Sequence, residues 1–91
     1  MRHFVYTYSE RTPRNGHVEK TVRIYRIVRN KPTFVCEETD TFVSEFQLVM
    51  GAMQRAKALP AKAFEKHPSG CWKYGYAYLL ELAGIASVTR I

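Results

Sequence analysis

A histidine and a cysteine lie four positions apart in the segment HPSGC, and this pair suggests metal or thiol chemistry. A structural zinc site usually takes four ligands, often in close pairs, and the second cysteine, Cys36, is far away in the sequence. A nucleophilic Cys71 would need an aligned base, but a Pro-Ser-Gly loop separates it from His67. We therefore interpret both cysteines as small, reduced, buried hydrophobic residues and expect no metal site and no cofactor.

The stretch CEETDT, residues 36–41, holds three carboxylates that could bind a divalent cation. It lacks the spacing of a calcium-binding loop, and neighbouring carboxylates in a strand point to opposite faces. Negative charge just before a helix is favoured by the helix dipole, so helix capping explains the stretch. Because the sequence also lacks a phosphate-binding loop and a nucleophile–base pair, it predicts a protein that is not an enzyme.

Arginines alternate with apolar residues in the segment TVRIYRIVR. Side chains of a strand alternate between its two faces, so Arg23, Tyr25 and Arg29 would share one face. Val22 and Ile24 would share the other, which is the better core face. A basic, aromatic sheet face is typical of proteins that contact phosphates and stack on the bases of single strands. In the alternative interpretation, the arginines are solvated and protect an edge strand against aggregation.

The turn TPRNG contains Asn-Gly, the strongest short hairpin signal, and carries Arg14 with Arg11 nearby. A basic hairpin tip can contact phosphates, although hairpin tips are commonly polar in any case. The candidate nucleic-acid contacts are the cations and one tyrosine of this region and of the arginine strand: Arg11, Arg14, Lys20, Arg23, Tyr25, Arg29 and Lys31.

A second candidate surface lies in WKYGYAYLLELA, residues 72–83, where aromatic residues recur at helical spacing. The polar line of this predicted helix is narrow. Such a helix is either sandwiched in the core, which is the usual place of an aromatic stripe, or exposes a patch to a partner. In the second case Trp72, Tyr74 and Tyr78 are the candidate partner-binding residues.

The formal net charge is +6, from 14 Lys and Arg against eight Asp and Glu, and it is unevenly distributed. Residues 2–31 carry eight bases and two acids, residues 32–54 carry four acids and no base, and residues 55–91 carry six bases and two acids. This order predicts separate charged faces, and it makes nucleic acid or an acidic protein surface the natural partner.

Three strands that would position the arginines are predicted in the first half of the chain. Period-2 alternation favours strands over residues 3–10, 17–29 and 33–38, and the tight turns between them imply an antiparallel meander. A fourth strand is expected over residues 85–91, where it could pair with an edge of the meander.

Two helices are predicted between the third and the fourth strand. The first has apolar residues every three or four positions, from Phe42 and Phe46 to Met53, over about 16–18 residues. Its candidate N-caps are Thr39, Asp40 and Thr41. The second helix covers residues 72–83. The predicted fold class is therefore α+β: an antiparallel sheet of three to four strands with two helices packed on one face, in the order β-β-β-α-α-β.

The length of 91 residues fits one modest core, so residues 1–91 are expected to form a single domain. No apolar run approaches the roughly 18 residues that span a membrane, and the first residues lack the apolar core of a signal peptide. With only two cysteines, a cytoplasmic protein with reduced thiols and no membrane contact is expected. The sequence leaves the oligomeric state open, with a homodimer among the options.

The segments YRIVRNKPTFV, residues 25–35, and FEKHPSGCWKYGYAYL, residues 64–79, resemble the C-terminal part of phage-type nucleases of the PD-(D/E)XK class. In that class an arginine-rich strand and a helix precede a cysteine cluster. Here Cys71 stands alone and no Asp followed by Glu-x-Lys occurs upstream, so no catalytic residue and no activity carries over. The resemblance implies a small phage or mobile-element protein that deals with nucleic-acid machinery.

Two functions follow from these patterns. The first is a small basic module that binds RNA or DNA through its arginine and aromatic sheet face, with phosphate neutralisation supplying most of the affinity. The second is a protein–protein effector, such as a phage-encoded, anti-CRISPR-like inhibitor of a host defence or transcription complex. Its basic face would then occupy a surface that normally holds nucleic acid.

Overall fold

The computed structural model of the chain describes residues 1–13, 16–59, 62, 65–70 and 73–91, with Tyr76 described by its backbone alone. Six elements follow one another: β1 (Arg2–Arg11), β2 (Glu19–Val28), β3 (Lys31–Asp40), α1 (Glu45–Arg55), α2 (Tyr76–Leu82) and β4 (Ile85–Arg90). The fold is α+β, and the order of its elements confirms the predicted one. Within the described residues, no helix is both long enough and apolar enough to cross a membrane.

The four strands form one mixed sheet in the spatial order β3-β2-β1-β4. The β1–β2 and β2–β3 pairs are antiparallel, as expected for a meander, but β4 runs parallel to β1. The prediction of a wholly antiparallel sheet is therefore wrong. The segment with the two helices carries the chain from β3 at one edge to β4 at the other, and a long crossover of this kind allows a strand to return in the parallel direction.

The hairpin between β2 and β3 turns one residue earlier than the sequence suggests. Arg29 and Asn30 both have positive φ, at 52° and 64°, and form the turn by themselves. Two consecutive residues of positive φ make the tight turn whose twist matches that of the flanking strands. Arg29 therefore lies at the tip of the hairpin, and its expected place on the strand face beside Arg23 is wrong.

The N-terminus of α1 is fixed by Ser44. Its Oγ accepts the N–H of Gln47 at 3.2 Å, and the Gln47 side-chain oxygen accepts the N–H of Ser44 at 3.0 Å. This reciprocal pair is a capping box. The predicted caps at residues 39–41 are wrong because β3 continues through Asp40, whose Oδ1 instead accepts the N–H of Phe42 at 2.9 Å.

The core lies on one face of the sheet. Phe4, Val22 and Ile24, which occupy alternate positions of the two central strands, are buried on this face. Helical side chains complete the same cluster: Leu48, Val49, Ala52 and Met53 from α1, and Leu79 from α2. The molecule measures only 17 Å along its shortest axis, as expected for one sheet layer and one helix layer. No described helix covers the opposite face, which we call the open face.

The apolar stripe expected on the first helix is only partly buried. Phe42 is 84% exposed and Phe46 is 52% exposed. Because α1 begins at Glu45, Phe42 precedes the helix, and Phe46 lies in the first turn of α1, at the margin of the face that buries Val49 and Met53.

The assignment of the two sheet faces predicts a difference between two isoleucines of β2. Ile24→Ala removes fully buried atoms and should lower the free energy of unfolding by about 2–5 kcal/mol. Ile27→Ala makes the same truncation on the open face, where the side chain is partly solvated, and should cost about 1 kcal/mol or less. Urea denaturation of both variants measures the difference, and equal losses would contradict an open second face.

Candidate nucleic-acid interface

An aromatic pair stands on the open face. Tyr25 of β2 lies directly opposite Phe34 of β3, and their rings meet edge to face with centroids 5.8 Å apart and an interplanar angle of 72°. Tyr25 is half-buried, whereas Phe34 is 51% exposed. We call these two residues the aromatic pair. Through the exposed Phe34 ring it offers a hydrophobic surface to solvent on a sheet face that the core does not use.

Arg23 extends this surface. Its guanidinium carbon lies 5.2 Å from the centroid of the Phe34 ring, within cation–π range. Its Nε also lies 3.5 Å from Oε2 of Glu37, the residue directly opposite on β3. Both side chains of this ion pair are about half exposed, so the pair contributes little to stability. Arg23 is thus on the predicted face, with part of its charge balanced by Glu37.

Three cations surround the tip of the β2–β3 hairpin: Arg26, Arg29 and Lys31. All three are exposed, and none pairs with a carboxylate of the described residues. Arg26 belongs to the core face by register, yet it is exposed because the buried part of β2 ends at Ile24. We call these cations the basic tip.

Two other predicted contacts lie at the opposite end of the sheet. Lys20 is on the helix side, where its Nζ donates to the carbonyl oxygen of Val43 at 2.8 Å. Arg11 pairs with Glu19, its neighbour across the strands, at 2.9 Å. At about 3.3 Å per residue, the length of β2 separates both from the basic tip by roughly 20–30 Å. The predicted contacts Arg14 and Trp72 lie outside the described residues.

Arg2 is one of the eight basic residues counted in residues 2–31, and its side chain has a structural role. Its Nη2 donates to the carbonyl oxygen of Ala83 at the end of α2, and lies 3.5 Å from that of Ala58. Carbonyl groups at a helix C-terminus lack partners within the helix, and a cation is favourable there. Arg2 therefore ties β1 to the segments that follow both helices.

A polar network connects the start of α1 to the sheet. Glu45 accepts hydrogen bonds from the Tyr6 hydroxyl at 2.7 Å and from Arg90 Nη1 at 2.9 Å. The Arg90 guanidinium carbon in turn lies 4.7 Å from the Tyr8 ring centroid. The Tyr8 hydroxyl donates to Glu10 at 2.6 Å, and this hydrogen bond is the main cause that raises the pKa of Tyr8 to about 12.

Cys36 packs against the core. Its Sγ lies 3.6 Å from the carbonyl oxygen of Ala52, and burial raises the pKa of the thiol. Cys71 lies outside the described residues. In the part of the chain that the structure describes, no group of three or more His, Cys, Asp or Glu side chains could hold a metal ion.

The second predicted surface is partly exposed. Tyr74 and Tyr78 stack with ring centroids 5.4 Å apart, and Tyr78 is 45% exposed while Tyr74 is half-buried. Leu82, one turn further along α2, is 50% exposed. The Nζ atoms of Lys62 and Lys73 lie 5.1 and 5.4 Å from the Tyr74 ring centroid. This surface therefore combines aromatic, aliphatic and cationic groups.

Comparison with protein-family models, with curated proteins and with solved structures found no match to this chain.

Proposed function

We propose that this chain is a small basic, non-catalytic module that binds single-stranded RNA or DNA across the open face of its sheet. The observation that carries this proposal is the aromatic pair on a face that no described helix covers, with Arg23 over one of its rings. The basic tip lies at the end of the same hairpin.

The aromatic pair favours single strands over duplexes. Nucleobases of a single strand can stack on an exposed ring, and each stacked base contributes about 1–3 kcal/mol. In a duplex the base faces are already stacked on one another, so they cannot reach Phe34. Every base has an aromatic face, and we therefore expect little sequence preference.

The basic tip supplies the electrostatic part of the proposal. Its cations have no carboxylate partner among the described residues, so binding of phosphates breaks no ion pair there. Arg23 differs, because a phosphate must compete with Glu37 for its guanidinium. The tip should therefore contribute more to affinity than Arg23 does, and the affinity should fall with salt.

A protein–protein effector is the second candidate function, and the surface of Tyr74, Tyr78 and Leu82 supports it. Exposed aromatic patches tend to be partner sites. In this proposal a phage-encoded chain inhibits a host complex that handles nucleic acid. Absence of oligonucleotide binding even at low salt would favour this candidate over the first.

Removal of charge at the basic tip should weaken nucleic-acid binding more than the same removal elsewhere. In the variant Arg29→Asn/Lys31→Gln, Asn preserves the tolerance of positive φ that the turn requires. Fluorescence anisotropy with a labelled single-stranded oligonucleotide should show weaker binding. The slope of log K against log salt should become shallower by about 1.4, since each lost contact accounts for about 0.7.

The matched control is Arg11→Gln/Lys20→Gln, which removes the same charge at the opposite end of the sheet. We expect it to retain most of the affinity and nearly all of the salt slope. Equal losses in both double variants would contradict the proposed site and indicate attraction by net charge alone.

The stacking part of the proposal is tested by a pair of phenylalanine variants. Phe34→Ala should weaken binding of a single strand by about 1–3 kcal/mol, at a salt slope that stays unchanged because no charge is lost. Phe42→Ala removes an even more exposed ring that lies before α1, and should leave affinity unchanged. Unchanged affinity in Phe34→Ala would rule out stacking on the aromatic pair.

A further inference from the structure

The outer side of β3 is a free sheet edge. β3 is the last strand of the sheet on its side and is ten residues long. Among the described residues, no backbone hydrogen bond engages it apart from its pairing with β2. A long exposed edge presents unpaired N–H and C=O groups that can pair with another strand.

The charges of β3 are arranged by sign along the strand. Lys31 is its first residue, and all the acids lie in its second half. Glu37 and Glu38 pair within the chain, with Arg23 and Arg55 at 3.5 and 2.6 Å. Lys31 and Asp40, at the two ends, have no ion-pair partner among the described residues. The two unpaired charges are thus of opposite sign and nine positions apart.

We propose that a second copy of this chain pairs with the free edge, β3 against β3 in antiparallel orientation, with the two-fold axis between Val35 and Cys36. Two ends of opposite charge make the strand complementary to itself in this orientation. Lys31 then lies opposite Asp40 of the partner subunit, and Asp40 lies opposite the partner's Lys31. Opposite charges on directly facing residues stabilise a strand pair.

The bulge in β3 makes this register geometrically possible. Residues that face each other across two strands must lie on the same side of the sheet, and two residues nine positions apart in a regular strand do not. In β3 the register with β2 shifts between Phe34 and Cys36, with Val35 as the extra residue. Lys31 faces Val28 on the helix side of the sheet, and after the shift Asp40 faces Lys20 on the same side.

The neighbouring pairs satisfy the same condition. Phe34 and Glu37 both lie on the open face, and both Thr33 and Glu38 lie on the helix side, so each pair matches across the two-fold axis. Pro32 has no N–H, so the ladder gains no donor at that position.

Pairing of two four-stranded sheets in this way gives one continuous sheet of eight strands, with both open faces on the same side. The inference concerns assembly and does not depend on the proposed nucleic-acid binding. In the dimer Lys31 faces a carboxylate of the partner subunit, so Arg26 and Arg29 are the tip cations that remain without one.

A charge exchange tests the inference in the absence of nucleic acid. Sedimentation velocity of the unmodified chain over a wide concentration range should show a reversible species of twice the 10.6 kDa chain mass. Lys31→Glu and Asp40→Lys should each weaken self-association by roughly tenfold or more, because each places like charges opposite one another twice in the dimer.

Two experiments that restore opposite charges distinguish the loss of β3 pairing from misfolding of the variants. The double variant Lys31→Glu/Asp40→Lys restores opposite charges at both contacts and should recover the dimer. An equimolar mixture of the two single variants should form a heterodimer, since each then faces its complement. Lys73→Glu, an equal charge reversal outside β3, should leave association unchanged.

Several results would overturn the inference. One is a monomer at every concentration of the unmodified chain. Another is a dimer that the single reversals do not weaken, which would place the interface on a different surface. A third is failure of both the double variant and the mixture to recover association while circular dichroism shows folded chains.

Discussion

The burial of one side of β2 under α1 is the constraint on which the rest of the molecule depends. Val22 and Ile24 lose all contact with solvent in a cluster with Ala52 and Met53 of α1. Because side chains alternate along a strand, this burial directs Arg23 and its open-face neighbours away from the core. The position of the proposed binding surface is therefore a consequence of where the apolar residues of β2 must go, and no separate device is needed to expose it.

The positive charge that is available to bind a ligand is more localised than the net charge of +6 indicates. Several cations elsewhere are occupied: Arg55 and Arg90 pair with carboxylates, Lys20 donates to a backbone carbonyl, and Arg2 donates to the carbonyl that ends α2. Three cations without an acidic partner among the described residues lie together at the β2–β3 tip: Arg26, Arg29 and Lys31. A ligand that carries phosphates would therefore meet its strongest attraction at one end of the sheet.

The sequence was sufficient where local patterns decide the structure. Alternation in β1 and β2 predicted these strands, in β2 it also predicted the core face, and the change of period predicted the switch to helices. It was insufficient for features that depend on contacts between distant segments of the chain. The parallel pairing of β4 depends on the crossover, and the Arg23–Glu37 contact depends on the β2–β3 register. The sequence contains the Ser-x-x-Gln pattern of the Ser44–Gln47 capping box, but Thr39, Asp40 and Thr41 also carry capping oxygens, and the prediction placed the start of the helix there.

The most direct test of the central claim is a titration of the isotopically labelled chain with a single-stranded oligonucleotide, followed by amide chemical-shift changes in two-dimensional NMR spectra. If single strands bind across the open face, the largest changes lie in β2 and β3 around Tyr25 and Phe34 and at Arg29 in the hairpin tip. Changes centred on Tyr78 and Leu82 of α2, or no changes at low salt, would contradict it.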